Sequence, residues 1–267
     1  MISRTALRVS RLSFGTGSLH HLATRRARQR LLGHASELGF SHFDTAPLYG
    51  FGLAEEELGI FLTSQSAALT VATKIGLYPP RASHPSTASV WAQKALSRAL
   101  PSLSRPIVDW SLEAAQASLD RSLRRLQRDH IDVLFLHEPD PRLIDADEVT
   151  RWLEAQRALG KVRYYGLAGD SARFLPWLAS DHAVGEVLQM RDSLNDQPAD
   201  AVRRAGRELQ FTFGYVSSRA EGDARSVPSL IHAALARSQS GSVLVSTRRI
   251  EHVGQLSAAA SEASACA

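Results

Sequence analysis

Four polar side chains of complementary chemistry stand where short apolar runs stop: Asp44 and Tyr49 in HFDTAPLYG, Lys74 in TVATKIG and His137 in VLFLHEP. A carboxylate, a phenol, an amine and an imidazole that share one site can move a proton at a carbonyl oxygen. Each follows a run rich in β-branched or aromatic residues, which predicts a place at the carboxyl end of a strand. In a parallel α/β barrel those ends converge on one mouth, where such folds carry their chemistry. Singly, each residue has an ordinary structural explanation: a turn cap for Asp44, a turn aromatic for Tyr49, a solvated strand end for Lys74, a satisfied loop histidine for His137. Four of them, in order on three strand ends, favour a shared site.

The elements that must position them are legible as an alternation. Strands are predicted at Leu12–Phe14, within a run from Val9, then at Phe40–Asp44, Thr70–Lys74, Ile131–Leu136, Val162–Leu167, Glu186–Met190, Gln210–Tyr215 and Ser242–Val245. Several are continuous apolar stretches, as in a parallel sheet buried on both faces. Between them lie helical stripes: Leu31, Leu32, Ala35 and Leu38 before Gly39; Leu112, Leu119, Leu123 and Leu126 after Ser111; Trp152, Leu153, Gln156 and Leu159 before Gly160. Eight such units without a break in composition predict an α/β fold, a (β/α)8 TIM barrel forming one domain over residues 1–267. Residues 77–109 read as a long loop after the third strand, with five prolines and a short helix near Val90–Leu100. Tyr78, Trp91 and Trp110 are candidate pocket aromatics. Residues 257–267 read as an Ala/Ser-rich tail.

Composition narrows the functional classes. The 267-residue chain is 44% hydrophobic with a formal charge of +4, and of its 31 basic residues only Lys74, Lys94 and Lys161 are lysine. Its arginines are interspersed with acids along helix-like stretches, which predicts a solvated mixed-charge surface and no nucleic-acid face. The single cysteine, Cys266, supports neither an internal disulfide nor a cysteine metal cluster and fits a reducing, cytoplasmic setting. No run approaches the ~20 apolar residues of a membrane span. The basic start, Arg4 to Arg11, runs into the first strand and is not read as a cleaved leader. His20-His21 has no third ligand for a metal, and no G-x-S-x-G hydrolase elbow occurs.

Taken in order, GFSHFDTAPLYGFGLAEEELG, TKIG, LFLHEP, GKVRYYGLA and VLVSTRRIEHV resemble the aldo/keto reductase superfamily, from Arg11 to Gln255. The wording DTAPLYGFGLAE is most similar to its aldose and galactose dehydrogenase branch. The resemblance implies a nicotinamide-dependent oxidoreductase acting on an aldehyde, a ketone, or a sugar alcohol or lactol. Tyr49 would be the general acid, Lys74 would lower its pKa, Asp44 would anchor Lys74, and His137 would orient the substrate oxygen.

For the cofactor, Gly15-Thr16-Gly17 follows the first strand, but His20 stands where a third glycine would complete a Rossmann fingerprint. The resemblance instead implies that Gly15, Thr16 and Asp44 lie near the nicotinamide, that Gln189 contacts its carboxamide and that Tyr215 stacks on the ring. It further implies that Ser217, Ser246, Thr247, Arg248 and His252 grip pyrophosphate and adenosine phosphate. Arg248 and Arg249 ahead of a helix favour NADPH, with NAD also admissible. The family's Ser-Asn after the fifth strand reads Ala168-Gly169, its small-Pro-Leu pattern reads VSSRAEGD, and its Glu-Asn pair reads Gln255-Leu256. A rival class is a cofactor-binding regulatory or interaction protein on the same barrel with little turnover. The expected partner is a small carbonyl or sugar molecule, with no nucleic acid and no membrane; oligomeric state is open.

Overall fold

Apolar strands too short to span more than one layer must each be paired on both sides to bury their backbone polar groups. In the computed structural model, which describes residues 1–65, 68–80, 105–179 and 183–265, eight of them do so by closing on themselves. They are β1 (Leu12–Gly15), β2 (His42–Asp44), β3 (Thr70–Ile75), β6 (Ile131–His137), β7 (Val162–Gly169), β8 (Val187–Arg191), β9 (Phe211–Phe213) and β10 (Ser242–Val245). The order is β1-β10-β9-β8-β7-β6-β3-β2, all parallel.

Helices run outside: α1 (Arg25–Glu37), α2 (Leu53–Thr63), α3 (Leu112–Leu126), α4 (Ala146–Ala158), α5 (Ser171–Ala179), α6 (Asp200–Arg204), α7 (Val227–Arg237) and α8 (Ile250–Ala265). Thr24, Ser111, Asp145 and Ser226 cap four of them by accepting a backbone N–H with the side chain. The third predicted stripe loses its last member: Leu159 falls past the end of α4 and is 67% exposed. The Ala/Ser-rich tail continues α8 as far as Ala265.

The strands are shorter at several ends than apolar character predicts. β1 begins at Leu12 rather than Val9, β2 at His42 rather than Phe40, and β9 stops at Phe213 because Gly214 turns the chain at φ +103°. The region after β3 adds an antiparallel pair that apolar periodicity does not reveal, β4 (Leu77–Tyr78) with β5 (Ile107–Val108). Val90–Leu100 and Trp91 lie outside the described residues.

The period of two along a strand sorts the core. Phe43, Val71, Leu134, Leu136, Leu167, Leu188 and Val243 belong to the layer packed under the helices. Ala72, Val133, Phe135, Ala168, Val187 and Phe211 fill the barrel interior, together with Ile2 and Leu7 from the N-terminal segment. Continuing the interior phase toward the carboxyl ends gives Asp44, Lys74, His137, Gln189 and Phe213. The alternation that packs the barrel therefore also aims these side chains into its mouth.

Candidate active site

Asp44 and Lys74 end adjacent strands on the inward phase. The Lys74 Nζ donates to Asp44 Oδ1 at 2.7 Å, to Oδ2 at 2.8 Å and to the Thr45 carbonyl at 2.8 Å. The two carboxylate oxygens can share one proton of the ammonium, which leaves one for the Thr45 carbonyl and one for Tyr49, with which Lys74 also hydrogen-bonds. Both side chains are buried, and Gln189 Nε2 donates to Asp44 Oδ2 at 2.7 Å from across the barrel. Burial by itself would lower the Lys74 pKa, but Asp44 and Tyr49 outweigh it and hold the ammonium above its ordinary value.

Tyr49 reaches this pair from a loop that glycine makes possible. Gly50, Phe51 and Gly52 have φ of +58°, +57° and +95°, and a Cβ at Gly50 would come within 2.5 Å of the His20 Cβ. The turn sets the Tyr49 ring with its centroid 4.9 Å from Lys74 Nζ and 6.3 Å from the His137 ring, edge to face at 88°. The four sequence-predicted residues thus meet.

Their electrostatics differ from the expectation in one respect. Lys74 does pull the Tyr49 phenol toward ionisation, but burial raises its pKa more and Asp44 adds to the rise, so the balance lies above the ordinary value. The ammonium's pull comes both from its charge and from a hydrogen bond with the phenol. Burial and then Lys74 push His137 down to about 3, leaving a neutral imidazole at pH 7 whose buried Nδ1 has no hydrogen-bond partner.

Two adjoining cavities open here. A cleft of about 560 Å3 starts at Asp44 and Tyr49 and runs past Gly15, Tyr215, Ser217, Ser246 and Thr247 to His252 and Gln255. Its volume lies within the range of small-molecule and cofactor sites. It joins an apolar floor (Val243, Val245, Ile231) to polar groups at the far end, the division an elongated molecule with one aromatic and one phosphorylated end requires. Tyr215 is held by its hydroxyl, which donates to Asp192 Oδ2 at 2.8 Å; the buried Asp192 in turn pairs with Arg203 and Arg237. Ser18 and Ser246 hydroxyls meet at 2.9 Å beside the cleft, and Thr247 Oγ1 lies 3.4 Å from His252 Nδ1. Thr16 is buried, its hydroxyl donating to the Asp44 carbonyl, and Arg248 is exposed in the turn before α8. The residues on these walls fit a nicotinamide dinucleotide: an aromatic ring, Tyr215, in the same cleft as Tyr49 and Asp44, and the hydroxyls of Ser217, Ser246 and Thr247 with the imidazole of His252 along the rest of the wall.

The second cavity, about 60 Å3, is walled by Asp44, Tyr49, Lys74, His137, Glu138 and Gln189 among others. Sequence reasoning passed over Glu138 and the Gln189–Asp44 bond. Glu138 adjoins His137 in the chain, which was the available signal; the Gln189 bond depends on distances across the barrel. Tyr78 and Trp110 lie on neither wall. Trp110 instead covers Gly76, where a Cβ would come within 2.1 Å of its ring.

Comparison with known proteins accords with this geometry. The profile of the aldo/keto reductase family matches residues 11–191, and the chain belongs to that family. Among characterised relatives it is 28% identical over 231 residues to pyridoxal 4-dehydrogenase of Microbacterium luteolum, covering 77% of this chain and 61% of that protein. It is also 28% identical over 176 residues to L-galactose dehydrogenase of Arabidopsis thaliana, covering 63% and 47%. The chain therefore spans between about half and three fifths of the length of these relatives. Its fold matches an aldo-keto reductase of Bacillus halodurans solved in the holo form, with a TM-score of 0.74, 21% identity, and coverage of 97% of this chain and 89% of that one.

Proposed function

We propose that this protein is an oxidoreductase that interconverts an aldehyde, ketone or sugar lactol with its reduced or oxidised counterpart, using a nicotinamide cofactor in the cleft. The observation that carries this reading is the meeting of Tyr49, His137 and the Lys74–Asp44 pair at the cleft's inner end. The cofactor, when bound, supplies or accepts the hydride. The chain's own groups manage the proton and the charge. A carbonyl oxygen near Tyr49 and His137 gains negative charge in reduction; the Tyr49 phenol donates its proton to it, and the neutral imidazole donates an N–H bond. The phenolate left behind is stabilised by the Lys74 ammonium, which Asp44 holds in place. In oxidation the phenolate takes the proton back.

A phenol whose pKa lies above the ordinary value is protonated at neutral pH, which suits donation and so favours reduction there. NADPH is the cofactor this reading prefers, because Arg248 and Arg249 are exposed at the start of α8 near the polar end of the cleft. Ser217, Ser246, Thr247 and His252 would hold the phosphates, Gln189 the carboxamide and Tyr215 the ring.

The test is Tyr49→Phe. Carbonyl-dependent consumption of NADPH should fall by about 10²–10⁴-fold, while quenching of tryptophan fluorescence by NADPH persists. Equal rates in the two proteins would remove Tyr49 from the chemistry. Saturable NADPH binding by the native protein, without turnover across a broad carbonyl panel, would favour a binding or regulatory role.

A further inference from the structure

One acidic side chain in the mouth touches the proton transfer above only by adding to the rise of the Tyr49 pKa. Glu138 follows His137 at the end of β6 and has φ +54°, a left-handed conformation that a non-glycine residue adopts at some cost, here directly before Pro139. Its backbone N–H is tied to the Ala168 carbonyl at 2.7 Å, which fixes it against the end of β7. The turn brings the carboxylate over Gly169, where a Cβ would come within 2.7 Å of Glu138 Oε2 and 3.1 Å of Cδ.

The end of β7 offers only a methyl and a hydrogen to this wall, Ala168 and Gly169, and the small cavity there is also bounded by Gln189. Glu138 occupies the space that a side chain at position 169 would take. The residue is half-buried: burial raises the carboxyl pKa and the Asp170 charge adds to the rise, while Arg173 and a hydrogen bond from the Asp170 backbone N–H to the carboxylate oppose it. Arg173 is itself paired with Asp140 at 3.0 Å. A strained backbone, a missing side chain opposite and an acid facing the reaction cavity form a coherent set.

We infer that Glu138 is a specificity-determining residue that accepts a hydrogen bond from an uncharged N–H or O–H donor of the bound molecule, in the pocket that Gly169 keeps open for its carboxylate. This rests on the oxidoreductase reading only in locating the bound molecule. Two sources offer such a donor beside the reacting atoms: the amide of the cofactor's nicotinamide, and a hydroxyl on the carbon next to the substrate carbonyl.

Two variants test it. Glu138→Ala removes the acceptor, and Gly169→Ala pushes the carboxylate aside while leaving it in the chain. One arm measures dissociation constants by fluorescence quenching for NADP+ and for its 3-acetylpyridine analogue, which lacks the amide N–H. The other compares kcat/KM for glyceraldehyde with that for propanal. Each variant should lose about tenfold in one pair, on the donor-bearing member relative to its partner. A loss confined to NADP+ assigns the cofactor amide; one confined to glyceraldehyde assigns the substrate hydroxyl. Equal changes within both pairs, or none, in variants whose melting temperatures match the native protein would overturn the inference. The binding arm needs no turnover, so a native protein inactive on every carbonyl would defeat the oxidoreductase reading without deciding this one.

Discussion

At the scale of single residues, the site turns on how Lys74 spends its charge. Besides its bonds to Asp44 and Thr45 it pulls on Tyr49, 4.9 Å from the ring centroid, by its charge and by a hydrogen bond, but burial of the phenol outweighs both. The phenol consequently stays above its ordinary pKa, and the direction fixes the pH response. Oxidation needs the phenolate, so its rate should climb with pH and reach no plateau below about pH 10, the ordinary tyrosine value. Reduction needs the phenol and should hold steady across neutrality. Replacing Lys74 by Met removes the charge and the hydrogen bond that pull the phenol down, so the oxidation profile should move further toward high pH. Stopped-flow rates in both directions from pH 6 to 10 check this; an oxidation plateau near pH 7 would contradict it. That Asp44, Tyr49, Lys74 and His137 meet was readable, because each residue type sits at the end of an apolar run. That burial prevails over the ammonium was not, because desolvation depends on what covers the ring.

At the scale of elements, the wall of the long cleft is held from outside the barrel. Tyr215 is anchored by Asp192, just past β8, and Asp192 is clamped by Arg203 of α6 and Arg237 of α7. Arg203 and Arg237 both also reach Asp200, so two helices and one loop share the network. Asp192→Ala would leave two partly buried guanidinium groups with only the more exposed Asp200 between them and should cost about 3 kcal/mol of stability. Tyr215→Phe removes one neutral donor and should cost about 1 kcal/mol. Urea unfolding of both variants measures the difference, and equal losses would show that the arginines do not depend on Asp192. The sequence made the strands and most helical stripes visible, since continuous apolar runs and 3.6-residue spacing reflect burial directly. It left Asp192 unnoticed, because an Asp after a strand looks like any turn residue until the register of β8, β9 and the helices is known. The β4–β5 pair was hidden for a related reason: two-residue strands carry no period.

At the scale of the whole molecule, the barrel encloses, below the Lys74–Asp44 ion pair, a histidine that must stay neutral. His42 is fully buried in the interior, stacked on Phe211 at 4.6 Å and bonded through Nδ1 to Thr70 at 2.8 Å. Burial, and secondarily Lys74, lower its pKa to about 3. The unfolded chain protonates this histidine below about pH 6.5, so between those values the unfolded state holds the extra proton and stability falls as pH falls. The loss is at most about 1.4 kcal/mol per pH unit for this one group. Stability should therefore be complete above pH 6.5 and decline toward pH 4, and His42→Gln should flatten the decline. Urea midpoints at pH 7, 6, 5 and 4.5 give the slopes; parallel slopes would acquit His42. Closure of the barrel has a different consequence. Each of its eight strands has a neighbour on both sides, and the only other ladder among the described residues is two residues long. Among the described residues, neighbouring molecules are offered no long free border on which to add a strand. Clouding of a heated solution should accordingly begin with, and not before, the loss of the far-ultraviolet dichroism signal.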